Sequence, residues 1–198
     1  MNTIRYYAAL MLLVSMPVSL GLWFAIHPFA PFWRRLGPVR TYAVLALPSL
    51  AVMAAMFHWR RPLLRVQFGT NRVFVSLAVV AVVASVAVAV QRRKHLTFAI
   101  LAGVPELSEE RAPGRLLTEG IYGRIRHPRY VEATLAVLAY ALFANYLAVW
   151  VLLAAWVPGL YLVVLLEERE LRDRFGSEYL AYCRRVPRFL PRIGSPDG

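Results

Sequence analysis

The sequence lacks several features that mark familiar classes of soluble protein. It has a single cysteine among 198 residues, which excludes an internal disulfide and a multi-cysteine metal site. None of its four histidines has a second histidine or a cysteine at ligand spacing, so we expect no metal. The nucleotide-binding signatures GxGxxG and GxxxxGK[ST] are missing, and so is the GxSxG of hydrolases. The sequence therefore does not signal a soluble nucleotide-binding domain.

Acidic residues are also scarce. There are 11 Asp and Glu against 23 Lys and Arg, which gives a net charge of +12. Nucleic acid is one partner for such a charge. However, 59% of the residues are hydrophobic, and membrane proteins carry basic loops that lie against anionic lipid. We therefore expect membrane lipids as partners and no nucleic acid.

Long apolar runs are abundant, and they predict an all-α integral membrane protein with about five transmembrane helices. Residues 1–198 would form a single membrane domain. A membrane span needs about 20 apolar residues, and residues 1–90 contain three such runs, at 6–27, 41–59 and 73–90. The run 131–166 is too long for one span, and Asn145-Tyr146 is the polar break near its middle. We predict a helical hairpin there.

The remaining segments are a loop and a tail. The loop, residues 91–130, is long enough to be functional or disordered. The tail, residues 167–198, has apolar residues at helical spacing, and Gly176-Ser177 suggests that one helix ends and another begins there. The stripe comprises Leu171, Phe175, Tyr179, Tyr182 and Val186. We expect an amphipathic cytoplasmic tail that packs against the membrane domain.

Five spans would put 18 of the 23 Lys and Arg on one side, and the charge rule assigns that side to the cytoplasm. The second loop argues against this count because it carries four arginines: Arg60, Arg61, Arg65 and Arg72. Either the rule is weakly obeyed, or the second or third span is re-entrant.

One polar stretch, residues 120–130, directly precedes the hairpin, and Glu167-Glu168 directly follows it. Both ends of a membrane hairpin meet at the same membrane face. We therefore expect Arg126, His127 and Tyr130 to lie near the two glutamates. Such a cluster is either functional or a set of ion pairs that pins the helix ends.

The residues around this hairpin carry a resemblance that covers about residues 120–191. The first block reads Gly120-x-Tyr122-x-x-x-Arg126-His127-Pro128-x-Tyr130. The second reads Glu167-Glu168-x-x-Leu171-x-x-x-Phe175-Gly176-x-x-Tyr179-x-x-Tyr182 and ends in Val186-Pro187-Arg188-x-x-Pro191. Together they resemble the isoprenylcysteine carboxyl methyltransferase family, which is grouped with the membrane phospholipid methyltransferases.

The resemblance implies that S-adenosylmethionine is the cofactor and that the methyl acceptor is a lipophilic small molecule or a lipid-modified molecule. It also implies that the cofactor-binding residues are Gly120, Tyr122, His127, Pro128, Arg129, Tyr130 and Glu167. We expect Arg126 and Glu168 to be the catalytic residues of this site.

One position departs from the family pattern. The carboxyl methyltransferases have an arginine one turn before the first glutamate, associated with the acceptor, and this chain has Val163 there. Recognition of a prenylcysteine carboxylate is therefore in doubt. The Ala, Val and Arg content suggests a bacterial chain, so we expect the bacterial inner membrane, with the active site facing the cytoplasm.

Two alternatives remain open. Membrane sterol reductases, which use NADPH, end in a similar arginine-histidine-proline block followed by a stretch like Tyr182 to Pro187 here. They are generally much longer. A non-enzymatic membrane protein would use the cluster only as an anchor and would bind no nucleotide cofactor. The sequence leaves the oligomeric state open.

Overall fold

The computed structural model describes residues 2–93 and 116–192, and these residues form seven α-helices. The helices are α1 (Asn2–Ile26), α2 (Ala30–Leu36), α3 (Pro38–His58), α4 (Arg60–Leu63), α5 (Arg72–Arg93), α6 (Pro128–Ala144) and α7 (Leu147–Arg185). A 3₁₀ turn, His27–Phe29, joins α1 to α2, and a second one, Gly120–Gly123, precedes α6. The extended pairing found in these residues is one antiparallel bridge between Gln67 and Tyr146. The predicted all-α integral membrane protein is confirmed.

Four helical stretches are long and apolar enough to cross a membrane: Asn2–Leu36, Pro38–His58, Arg72–Arg93 and Leu147–Arg185. At 1.5 Å per residue, α3 and α5 are each a little over 30 Å long, close to the thickness of the hydrocarbon core. Both are full-length helices, so neither has the broken geometry of a re-entrant segment. α6 has 17 residues, at the short end of the spanning range. The count of five spans therefore stays a prediction.

The ends of the five long helices alternate between two faces of the molecule. At one face, Arg5, near the start of α1, donates to the carbonyls of Phe143 and Ala144 at the end of α6. At the other face, Glu170 in α7 forms ion pairs with Arg34 and, at 3.9 Å, with His27. The loop after α1 therefore lies on the same face as the tail, as the predicted topology requires.

The hairpin turn lies where the sequence predicts it. Asn145 adopts the left-handed conformation that ends α6, with φ 54° and ψ 50°, and its backbone N–H donates to Ala141. Its side-chain amide donates to the carbonyl of Gly69, and its side-chain oxygen accepts from Trp150. The second loop therefore braces the turn between α6 and α7.

Arg5 is buried inside the structure, near the start of α1. Its side chain is 1% exposed, and its Nε and Nη2 atoms donate to the carbonyl of Ala144 at 3.1 and 2.7 Å. The last carbonyls of a helix lack partners within the helix and carry partial negative charge. Arg5 therefore neutralises the end of α6 and ties the N-terminus to the hairpin.

The main core lies between α1, α6 and α7. Its buried side chains include Leu13 of α1, Val137 of α6, and Val149, Val163 and Val164 of α7. This core fixes the beginning of α6 and the middle of α7 relative to each other. The polar residues at the far end of the hairpin therefore sit on a rigid support.

The tail follows the predicted pattern. At 39 residues α7 is about 58 Å long, nearly twice the thickness of the hydrocarbon core, and Gly176 breaks its helical geometry with φ 54° and ψ −124°. Beyond the break, Tyr179, Tyr182 and Val186 are buried and pack with Leu116. Leu171 and Phe175, before the break, are partly buried at the edge of the same cluster. The stripe thus holds the segment that leads into the motif. Most of the predicted loop, residues 94–115, and the last residues, 193–198, lie outside the described residues.

Candidate functional site

The motif before α6 is held by the end of the tail. The backbone N–H of Arg126 donates to the carbonyl of Pro187 at 2.9 Å, and that of His127 donates to the carbonyl of Arg188 at 3.1 Å. The hydroxyl of Tyr182 donates to the carbonyl of Tyr122 at 2.6 Å. The two blocks of the sequence, which are about 60 residues apart, therefore meet through main-chain hydrogen bonds. Pro128 then begins α6, where its missing N–H costs nothing.

Glu168 is the centre of the polar cluster. One of its carboxylate oxygens, Oε1, accepts from Nη2 of Arg126 at 2.7 Å and lies 3.1 Å from Nε2 of His127. Arg188 contacts both oxygens, through Nε at 2.9 Å and Nη2 at 2.8 Å. Glu168 is 5% exposed, so these charges compensate one another away from water. Its carboxylate is therefore fully committed to protein donors.

Arg126 is also held by several protein groups, although its Nε atom has no hydrogen-bond partner. Besides Glu168, its guanidinium donates through Nη1 to the carbonyls of Cys183 and Val186, at 3.0 and 2.8 Å. It therefore joins the motif, α7 and the end of the tail at one point.

Glu167, one residue earlier, is in a different position. Its Oε2 atom is buried, has no hydrogen-bond partner, and lies 3.7 Å from Nδ1 of His127. The contact with Glu168 is made by Nε2, so Nδ1 is the ring nitrogen that lies nearest Glu167. The gap between Nδ1 and Oε2 of Glu167 is too long for a hydrogen bond. A donor or a cation bound there would satisfy the Glu167 oxygen.

A second group of charges surrounds Tyr122. Burial raises the pKa of its phenol to about 12, and four nearby charged side chains act on the same hydroxyl. These are Arg92, Glu167, Arg129 and Glu132. Tyr122 is therefore a neutral hydrogen-bonding group near neutral pH, set among charges of both signs.

Two of these charges, Arg92 and Glu132, are residues that the sequence analysis missed. Arg92 ends α5, and its Nε and Nη2 atoms lie 2.8 and 2.7 Å from one oxygen of Glu132 in α6. In the sequence they look like a basic loop residue and a charge at the start of a span. A glutamate near the start of an apolar helix was the available signal, because an unpaired charge is costly there.

One side of the motif is lined by aromatic rings of the protein core. Tyr130 is buried and meets Trp23 of α1 edge to face, with ring centroids 5.3 Å apart. Trp23 also contacts Trp156 at 5.7 Å, and the Arg129 guanidinium lies 5.6 Å from its ring centroid. Trp23 is a further residue that the sequence did not single out. It places the first helix against the motif.

The structure thus brings the predicted residues into one region at the membrane face. His127, Pro128 and Tyr130 are buried, and Arg126 and Glu168 form the centre of the cluster. Glu167 and Arg129 lie beside Tyr122, and Gly120 starts the 3₁₀ turn that carries Tyr122. Across residues 2–93 and 116–192 there is no group of three or more metal-ligating side chains.

Comparison with known protein families agrees with this geometry. The phospholipid methyltransferase family matches residues 72–178, more than half of the chain. The chain belongs to this family. The predicted kinship with membrane methyltransferases of the isoprenylcysteine and phospholipid type is confirmed. The match begins at the start of α5, so Trp23 lies before it and Arg188 lies after it.

Two curated relatives match a shorter part of the chain. The cobalt-zinc-cadmium resistance protein CzcN of Cupriavidus metallidurans is 38% identical over 79 residues, which is 39% of this chain and 36% of the relative. Methanethiol S-methyltransferase 1 of Bradyrhizobium diazoefficiens is 37% identical over 87 residues, which is 43% of this chain and 29% of the relative. The matched region is thus about a third of each relative. No solved structure matches the chain.

Proposed function

We propose that this family member is a membrane methyltransferase that uses S-adenosylmethionine to methylate a lipophilic acceptor. The observation that carries the proposal is the buried Oε2 atom of Glu167, which has no hydrogen-bond partner and lies 3.7 Å from Nδ1 of His127, near Tyr122. A polar arrangement of this kind costs free energy unless something binds to it. Because the chain belongs to a methyltransferase family, the ligand bound there would serve methyl transfer.

The residues present fit the cofactor. S-adenosylmethionine, when bound, supplies an electrophilic methyl group on a sulfonium, and its amino acid part carries an ammonium and a carboxylate. Glu167 would hold the ammonium, because its buried Oε2 atom is a free acceptor, and His127 lies beside it. Tyr122, as a neutral phenol, would donate or accept a hydrogen bond beside them. Gly120, Pro128, Arg129 and Tyr130 would line the rest of the site.

Arg126 and Glu168 would act on the site by shaping it. All but one of their polar atoms are bonded to protein, the exception being Nε of Arg126. Methyl transfer is an in-line displacement that needs alignment and exclusion of water more than proton transfer. A closed ion cluster that joins the motif to the tail provides both. We therefore propose that the predicted catalytic role of these two residues is exerted through the position of His127.

For the acceptor, we propose an uncharged lipophilic molecule in preference to a prenylcysteine carboxylate. Val163, at the position where the carboxyl methyltransferases have an arginine, is fully buried in the apolar core. The wall between Trp23, Tyr130 and Trp156 is aromatic. The Bradyrhizobium relative is named for a thiol, which is a small acceptor of this kind.

We further propose that the site faces the cytoplasm of a bacterial inner membrane. The side that carries the motif and the tail has 18 of the 23 Lys and Arg, counted over the whole sequence. The cofactor would arrive from the cytoplasm, and the acceptor would arrive from the lipid.

The proposal is tested by calorimetric titration of the detergent-purified protein with S-adenosylhomocysteine and, in parallel, with NADPH. We expect binding of the first alone, and its loss in Glu167→Gln and His127→Ala. Glu178→Gln, at an exposed position of the tail, is the matched control and should bind normally. Binding of NADPH alone would instead support the reductase alternative. A folded protein that binds neither ligand would support the anchor hypothesis.

A further inference from the structure

Arg92 is a buried arginine with one unpaired end. Its side chain is 7% exposed, and two of its nitrogens, Nε and Nη2, are paired with the same oxygen of Glu132. The third nitrogen, Nη1, is buried and has no hydrogen-bond partner. A charged donor left unpaired away from water is expensive, so it indicates a ligand or a strained contact.

Arg5 shows what a purely structural arrangement of a buried arginine looks like in the same protein. It has all three nitrogens bonded, to the carbonyls of Phe143 and Ala144 and to the hydroxyl of Thr70. Moreover, α5 and α6 are already joined near Arg92, because Ser85 donates to the carbonyl of Glu132 at 3.0 Å. If Arg92 served only to join α5 to α6, its Nη1 atom would not need to stay unpaired.

Arg92 lies near Tyr122, because α5 packs against the 3₁₀ turn that carries this tyrosine. Arg92 and Glu167 both act electrostatically on the Tyr122 hydroxyl, so they lie around one phenol. Each of the two has one buried charged atom without a partner, Nη1 of Arg92 and Oε2 of Glu167. These atoms carry opposite charges. A ligand that carries both an ammonium and a carboxylate would satisfy both.

We propose that Arg92 binds the carboxylate of the amino acid part of S-adenosylmethionine, with Glu132 holding the guanidinium in place and Glu167 taking the ammonium. This inference rests on the function proposed above and names the residues at one end of that site. The two charged ends of the ligand would complete two interactions that the protein alone leaves open. Arg92 is then a cofactor-binding residue, and Glu132 is a positioning residue.

Arg92 and Glu167 would bind different charged groups of the ligand, so truncated ligands can test the two residues separately. S-adenosylhomocysteine has both charged groups, 5′-deoxy-5′-(3-aminopropylthio)adenosine lacks the carboxylate, and 5′-methylthioadenosine lacks both. We expect Arg92→Gln to weaken binding of S-adenosylhomocysteine by about 10- to 100-fold, the range for a lost charged hydrogen bond. Binding of the two ligands without a carboxylate should not change. Glu167→Gln should weaken the first two ligands and spare the third.

Arg93→Gln is the matched control, because Arg93 is the exposed neighbour of Arg92 at the same helix end. Arg92→Lys keeps the charge without the planar fork and should lose less affinity than Arg92→Gln. Glu132→Gln should weaken S-adenosylhomocysteine and spare the carboxylate-free ligands. Retained binding of 5′-methylthioadenosine shows in each variant that the adenosine site is still folded.

Equal losses for all three ligands in Arg92→Gln and Arg92→Lys would overturn the inference, since they would make Arg92 a structural residue. Unchanged affinity for S-adenosylhomocysteine in Arg92→Gln would overturn it as well, while leaving the proposed function standing. Failure of the wild-type protein to bind any of the three ligands would overturn the proposed function, and this inference with it.

Discussion

Arg188 contacts both carboxylate oxygens of Glu168, through its Nε atom at 2.9 Å and its Nη2 atom at 2.8 Å. This two-point contact joins the end of the tail to the middle of α7. The backbone of the same arginine accepts from His127. Arg188, which lies beyond the last helix, therefore positions the motif through its main chain and Glu168 through its side chain.

We expect Arg188→Lys to loosen the tail. Lysine cannot reproduce the planar two-point contact, and a hydrogen bond to a charged group contributes about 1.5–3 kcal/mol in protein interiors, less here because Arg188 is partly exposed. Limited proteolysis of the purified protein should show faster cleavage beyond Gly176. Arg192→Lys, at an exposed position, should behave like the wild type. Equal cleavage rates in the two variants would remove Arg188 from this role.

Arg5→Ala should destabilise the whole membrane domain. It removes the donors of the carbonyls at the end of α6, and each buried carbonyl left unpaired costs about 1–3 kcal/mol. We expect a clear fall in the thermal melting temperature in detergent. Arg65→Ala, an exposed arginine of the second loop, should leave the melting temperature nearly unchanged. A similar melting temperature for both variants would argue against a capping role.

Tyr122 should make the folded state sensitive to alkaline pH. Burial raises its pKa to about 12, above the ordinary value of 10.0, so the folded protein keeps a proton that the unfolded chain releases. Stability should therefore fall as the pH rises from about 10 to 12, with a contribution from this residue of at most about 3 kcal/mol. Denaturant unfolding of the wild type and of Tyr122→Phe across this range isolates the contribution. Parallel pH profiles for the two proteins would refute it.

The topology can be read with cysteine labelling. In a Cys183→Ser background, Arg61→Cys reports on the loop after α3, and Glu178→Cys reports on the tail. We expect a membrane-impermeant maleimide to label the first in intact bacteria and the second only after permeabilisation. Labelling of the tail cysteine from outside would reverse the orientation. Labelling of both from the same side would contradict the alternating arrangement.

The sequence was sufficient for the helices and the hairpin, because the signals there are local. Apolar runs of about 20 residues predict membrane helices by length and composition alone. Asn145 predicts the turn because it is the polar break in a run too long for one span, and it tolerates the left-handed conformation. Gly176 predicts the break in the tail for the same conformational reason. The proximity of Arg126 and His127 to Glu168 followed from the hairpin itself, whose two ends return to one face.

What only the tertiary structure decided is which charges are satisfied. Arg5 and Arg92 look alike in sequence, as basic residues beside apolar runs. One has every nitrogen bonded, and the other has a nitrogen left over. Glu167 and Glu168 are adjacent and chemically identical, yet they differ because a helix turns about 100° per residue and sends them toward different partners. Pairing depends on distances between atoms that are far apart in the chain. The sequence therefore determined where the charged residues gather, and the fold determined which of them stay free to bind a ligand.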